Sequence, residues 1–337
     1  MERIAMRAPK ETTTRPSPPR ERALSPALLA RMFHQPAMIY FQTVAELLSV
    51  RECARRLNVA SSAVSRQIAQ LEDALGMALF QREGRGLRLT AAGEILFRHV
   101  RRVASPLEAA VSELDMLRGL KTGSVRIATV ESIGLSFLPP LLTTFSERYP
   151  TLHLSVEVTS SAEVVTRLVD ETVDVGFGFV TAPPREIEMA VRRDVRVGAL
   201  MRPDHPLASG QRVTLADCFA YPVAIGTGEL SIRRAIQPIL DASASVPPPL
   251  LEVGSIRMLV ELAQTGHHVS ITTPVGAHNE IGSGALLFRP LDDPGLSTNR
   301  FGLMVRAGAA LSFAPAVFYD QAKEHFRSVE LPGTVLS

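Results

Sequence analysis

Residues 61–75 gather side chains able to hydrogen-bond phosphates and base edges: Ser61, Ser62, Ser65, Arg66 and Gln67. Val64, Ile68 and Leu71 recur at spacings of four and three. They therefore share one face of a helix and turn the polar groups to the other. Hydroxyls and amides serve phosphate and base contacts, and a guanidinium can grip a guanine in bidentate fashion for about 1–3 kcal/mol of discrimination. Arg66 is the expected base reader. A second basic set follows, in which Arg82, Arg85 and Arg88 flank Gly84 and Gly86. Glycines there allow close approach to a phosphate backbone. One such arginine alone is ordinarily a solvated charge; the grouping points to double-stranded DNA.

The elements that must hold these groups are legible around them. From Pro36 to Gly93 the pattern is helical, with breaks at Ser49, Asn58-Val59 and Gly76, followed by the turn-rich stretch 82–90. Ser49 is a candidate N-cap, Cys53-Ala54 lets two helices cross closely, and Leu57 and Val59 anchor the turn. Short helices followed by a hairpin outline a winged helix-turn-helix over 36–93. Over 94–121, Leu96, Val100, Val103, Leu107, Ala110, Leu114 and Leu117 recur at spacings of four and three. That seam predicts a helix pairing with a second copy, hence a homodimer or homotetramer; the alternative is an amphipathic helix lying on its own domain. Pro106 costs on the order of 3 kcal/mol inside a helix, so a bend is expected near Ser105-Pro106.

Beyond Gly123 apolar runs alternate with helical ones. Strands are predicted over 125–130, 152–158 and 174–179, with helices over 138–148 and 162–171, and a similar order recurs after Val223. This implies parallel sheets with helices on their faces, split into two α/β lobes over 122–332. Lobe I is expected to take 122–199 and 297–332, and lobe II 200–296.

Charge divides the same way. Lys and Arg number 19 against 12 Asp and Glu in residues 1–122, and 17 against 22 thereafter, a swing from +7 to −5 that puts polyanion binding at the N-terminus. Residues 1–35, proline-rich and basic without an apolar period, read as a disordered tail. No apolar run nears the ~18 residues of a membrane span, and Cys53 and Cys218 match no disulfide or metal spacing, which suits a cytoplasmic location. His267-His268 invites a metal reading, but strand neighbours face opposite ways and no further ligand stands at suitable spacing. Neither Glu171-Asp174 nor Asp292-Asp293 reads as a catalytic pair. No nucleophile elbow or phosphate loop is present, so no catalytic residue, metal or cofactor is expected.

The stretch Leu57-Asn58-Val59-Ala60-Ser61-Ser62-Ala63-Val64-Ser65-Arg66-Gln67-Ile68, with Leu71-Glu72, Leu79-Phe80-Gln81-Arg82 and Gly84 to Gly93, resembles the LysR-type transcriptional regulators. The similarity extends more loosely to about Pro332. It departs where the family has a hydroxyl, Gln and Pro at the recognition helix and this chain has Ala60, Ser61 and Ser62. It departs again at Gly266-His267-His268, where a Gly-x-Gly is usual. The resemblance implies a periplasmic-binding-protein-like effector domain whose ligand sits between the lobes at helix N-termini, where free N–H groups attract anions. The matching positions are Ser132, Ser160, Ser161, Gly228, Leu230, Ser255 and Ile256. Ser132, Ser161 and Ser255 are also candidate helix caps. Arg126, Arg233 or Arg257 could balance an anionic effector. The implied function is effector-modulated transcription control from an interrupted palindrome, with RNA polymerase a further candidate partner. The competing reading is an enzyme on the two-lobed fold.

Overall fold

The computed structural model describes residues 36–84, 86–117, 123–210, 212–242, 251–296, 299–329 and 334–336. The expected basic tail and Arg85 lie outside them.

Three helices come first among the described residues, and local chemistry sets their ends. α1 (Pro36–Leu47) leads to Ser49, whose hydroxyl accepts the Glu52 amide at 3.3 Å and so starts α2 (Val50–Leu57). α2 ends at Asn58 with φ 54°, and α3 (Ser61–Leu75) ends at Gly76 with φ 65°, a left-handed backbone that these two residue types tolerate best. Phe41, Val44, Cys53, Ala54, Val64, Ile68 and Leu79 are buried between the helices and form the small domain's core. β1 (Phe80–Glu83) and β2 (Gly86–Leu89) pair antiparallel as the wing, and the Phe80 ring rests 5.5 Å from Phe41.

α4 (Ala91–Leu117) begins behind Thr90, whose hydroxyl accepts the Gly93 amide at 3.1 Å. Only glycine fits at 93, because a Cβ there would lie 2.1 Å from the Leu79 carbonyl oxygen. The helix continues on both sides of Pro106 as one element.

Lobe I is built on a six-stranded sheet. Its parallel half is β3 (Gly123–Thr129), β4 (Leu152–Val158) and β5 (Val175–Phe179). These are linked by α5 (Glu131–Ser136), α6 (Leu138–Arg148) and α7 (Ser161–Val169). β6 (Ile187–Val195) and β12 (Asn299–Arg306) add antiparallel, and β13 (Thr334–Leu336) edges β6 beyond the predicted end of the domain. Phe137 lies 5.5–5.7 Å from the rings of Phe177, Phe301 and Phe326. α12 (Phe313–Ser328) closes that core. Full burial of each ring contributes roughly 1.5–3 kcal/mol.

Lobe II carries a five-stranded sheet of β7 (Gly198–Met201), β8 (Val223–Gly226), β9 (Leu251–Val253), β10 (Val269–Thr272) and β11 (Leu287–Pro290). Its helices are α8 (Leu215–Cys218), α9 (Ser231–Ala242), α10 (Ile256–Gln264) and α11 (His278–Gly282). β7 pairs with β10 and β11, so Gly198 and Ala199 belong to lobe II and not to lobe I, where the sequence placed them. The chain crosses between lobes at Arg196-Val197, and the four residues of β7, all buried, enter the second sheet between β10 and β11.

Candidate nucleic-acid interface and effector cleft

In α3, Val64 and Ile68 face the core while Ser61, Ser62, Ser65 and Arg66 are exposed. Among the described residues no ion pair holds Arg66 or Arg82, so both guanidiniums are available to a polyanion. Gln67 is half-buried and donates to Gln70 Oε1 at 3.0 Å, which keeps it along the helix and not free in front of it. Ala60 precedes α3 with no side-chain oxygen to cap it. The Ala63 amide turns back to the Ala60 carbonyl at 2.9 Å, and no side-chain cap covers the start of this 15-residue helix, an arrangement that attracts phosphate.

The wing's register opposes Gln81 to Arg88 and Arg82 to Leu87. Arg82 and Arg88 therefore leave the ribbon on opposite faces. Among the described residues Arg88 has Glu83 at 3.9 Å as its one ion-pair partner. Sequence reasoning assigned Glu72 no role beyond its place in the family resemblance. One of its carboxylate oxygens accepts the amides of Leu79 at 2.7 Å and Phe80 at 3.2 Å, fixing the wing against α3. Its place next to Leu71 near the end of an apolar-periodic helix was the available signal.

The seam divides in two. Val103, Leu107 and Leu114 are exposed, Val103 by 68%. Leu96 and Val100 are half-buried, and the Leu117 side chain lies outside the described residues. Val111, off the seam, is the buried apolar residue among the described side chains of this stretch. The helix thus rests on its own chain by one face and leaves an apolar stripe uncovered on another.

Between the lobes, the segment after β3 meets those after β9 and β10, through Glu131 at Ser255–Arg257 and Ser132 at Gly276. Ser160 caps α7, accepting the Glu163 amide at 3.2 Å; the cap is this residue and not Ser161. Ser161 is buried and instead accepts the Phe179 amide at 3.1 Å, tying α7 to β5. Ser132 caps nothing, since it is the second residue of α5 and is buried against Gly276. Gly228 is exposed, whereas the Leu230 side chain folds over Gly226 and joins the lobe II core. Ser255 does cap α10, accepting the Met258 amide at 3.2 Å.

The N-terminus of α10 is already occupied. Glu131, from the start of α5 in the other lobe, accepts from Ser255 Oγ at 2.8 Å, the Ile256 amide at 2.6 Å and the Arg257 amide at 3.2 Å. The protein's own carboxylate fills the place where the sequence suggested an anionic effector. The three candidate arginines are also engaged: Arg126 with Asp174, Arg233 with Glu252, and Arg257 with Glu261 and Glu280. A separate hollow of about 560 Å³, lined by Arg202, Pro203, Asp204, Gln264, Gly284 and Ala285, lies at the opposite end of lobe II from the cleft.

Other groups bear on chemistry. Burial pushes the Cys53 thiol up to about 11 and the Cys218 thiol to about 12. Burial also lowers the imidazole of His325, whose Nε2 donates to the Phe137 carbonyl at 3.2 Å. Among the described residues no three His, Cys, Asp or Glu side chains converge as metal ligands, and no helix is long and apolar enough to cross a membrane.

A solvent-facing helix with an adjoining basic wing, joined by a long helix to a two-lobed body, defines a DNA-binding regulator with a sensing domain. The profile of the bacterial regulatory helix-turn-helix protein, lysR family, matches residues 37–94, and that of the LysR substrate binding domain matches 118–327. The chain belongs to the LysR family of transcriptional regulators. It is 27% identical over 293 residues to a probable nitrogen assimilation transcriptional activator of Synechococcus elongatus, covering 86% of this chain and 93% of that protein. Its fold is similar to that of a full-length OxyR variant from Pseudomonas aeruginosa, with TM-score 0.67, 18% identity and coverage of 89% and 96%. It is also similar to that of CbnR in complex with its target DNA, with TM-score 0.55, 21% identity and coverage of 86% and 98%. The relatives are regulators and not enzymes. The chain is accordingly a transcription regulator with a DNA-binding and an effector-binding domain.

Proposed function

We propose that α3 enters the major groove with Ser61, Ser62, Ser65 and Arg66 foremost and Gln67 behind them, while Arg82, Arg85 and Arg88 neutralise flanking phosphates. The observation that carries this is the exposed Arg66, without an ion pair among the described residues, on the face of α3 opposite Val64 and Ile68. Two chains join along Val103, Leu107 and Leu114, with Leu96, Val100 and Leu117 extending the seam, so the DNA site is an interrupted palindrome read in the cytoplasm. RNA polymerase is a further partner of the DNA-bound form.

The effector is a small molecule held between the lobes by Ser160, Ser161 and the backbone of Gly228 to Leu230, next to Ser132, Ser255 and Ile256. An anionic effector at α10 has to displace Glu131. Binding must favour one arrangement of the lobes over another to alter transcription.

Selection of bound duplexes from a random pool, with the native protein and Arg66→Ala in parallel at one stated salt concentration, tests the reading. An inverted repeat enriched only with the native protein is the expected result. Salt-sensitive binding without any enriched sequence overturns it.

A further inference from the structure

Three arginines of α4, Arg98, Arg101 and Arg102, lie at i, i+3 and i+4, so they share one face of the helix. That face grips the turn that follows α7. Arg98 Nε is 3.5 Å from Asp170 Oδ1, and Arg102 Nε is 3.9 Å from Glu171 Oε1. Arg101 is buried, and its guanidinium donates to the Glu171 carbonyl at 2.9 and 3.3 Å. Its remaining nitrogen donates to Glu46 Oε1 of α1 at 3.0 Å. One side chain thus bonds the winged helix domain and lobe I at once.

The lobe I side of this joint is firmly made. Glu171 holds φ 57°, an uncommon backbone for a residue with a side chain, and its carboxylate also pairs with Arg306 of β12. α7 is pressed onto β5 so closely that a Cβ at Gly176 would come within 2.7 Å of both Val164 and Leu168. A helix of nine residues packed in this way is a rod about 13 Å long. Ser160 and Ser161, at the effector cleft, mark one end. Asp170 and Glu171, at the joint, mark the other.

We propose that α7 is the lever that carries the state of the cleft to the DNA-binding domain, with Arg101 as the positioning residue that couples its far end to α1. The proposal rests on the reading of the cleft as the effector site. Packed elements of this kind move as units between discrete positions, so a shift at the N-terminal end of α7 displaces the Glu171 carbonyl. Among the described residues the Arg101 guanidinium bonds that carbonyl and Glu46, whose own side chain is partly exposed. It passes the displacement to α1, against which α3 is packed.

The test is hydrogen exchange by mass spectrometry on the full chain without DNA, which separates it from the reading of the interface. Ser160→Ala loosens the cleft end of α7 by removing its cap. Exchange over residues 42–47 of α1 is expected to accelerate two- to fivefold. In an Arg101→Met background the same substitution is expected to change it by less than 1.3-fold. If Arg101→Met does not fold, Glu46→Gln carries the same comparison, since it weakens the acceptor on the α1 side and leaves Arg101 on Glu171. Equal acceleration in both backgrounds overturns the lever, because the signal then travels by another route. No acceleration in either overturns it as well. Failure of the DNA selection with intact coupling would instead strike the reading of the interface alone.

Discussion

Replacing Glu131 with Ala removes the carboxylate that, among the described residues, spans the lobes at α10. Two backbone amides and a hydroxyl lose their acceptor at 2.6–3.2 Å. A hydrogen bond to a charged group contributes roughly 1.5–3 kcal/mol, and an anion at a helix N-terminus a further ~0.3–1 kcal/mol. Water can replace the carboxylate at Ser255 and at exposed Arg257, but less readily at the buried Ile256. The net loss of interlobe attraction is then about 2 kcal/mol, or about a 30-fold shift toward separated lobes. Spin labels on Thr143→Cys in lobe I and Ala220→Cys in lobe II, both exposed positions, report the spacing by pulsed dipolar spectroscopy. The native thiols are buried and do not compete for label. A narrow distribution with Glu131, a longer second population with Glu131→Ala and an intermediate result with Glu131→Gln are expected. Identical distributions in all three would refute the reasoning, since the lobes would then be held by packing such as Gly276 against Ser132.

Three further outcomes follow from the same structure. Val103→Asp places a charge in the uncovered stripe of α4 and should halve the mass in solution at micromolar concentration; an unchanged mass removes the seam from the account. With thiols pushed up to about 11 and about 12 by burial, Cys53 and Cys218 should resist a thiol reagent at pH 8 until the chain is unfolded, and rapid labelling of the native protein would contradict their burial. Because burial lowers the folded-state imidazole of His325, its contribution to stability is complete above an unfolded value near ~6.5 and is lost as pH falls below it. His325→Gln should flatten that acid limb in denaturant titrations, and an unchanged slope would place the titrating group elsewhere.

What could be read in the sequence was what depends on neighbours in the chain. The bounds of α3, α6 and β4 coincide with their predicted ranges because helical period and alternation are local signals, as are caps such as Ser255. β6 and β12 were not legible. β6 carries Glu188, Arg192, Arg193 and Asp194, which suggest a surface loop. Buried Arg193 donates to the Phe326 carbonyl, and Asp194 pairs with Arg300, partners more than 100 residues away. The candidate sites show the same limit. The outward face of α3 follows from the apolar positions beside it. Glu131 gains its role only when α10 is brought across from the other lobe, and Arg101 only when α1 and the Glu171 turn meet it from two sides. One cap was misplaced by a single residue, at Ser161 instead of Ser160, because two adjacent serines satisfy the same local rule.

The most direct test of the central claim is the ratio of affinities for the selected duplex and a scrambled duplex of equal length, measured by fluorescence anisotropy at physiological salt. The account predicts a ratio of about 10³ or more for the native protein. It also predicts that Arg66→Ala lowers the ratio by about five- to 150-fold, the equivalent of ~1–3 kcal/mol of base discrimination. Equal affinity for both duplexes, with Arg66→Ala weakening each alike, would mean that α3 contacts phosphates without reading sequence and would contradict the account.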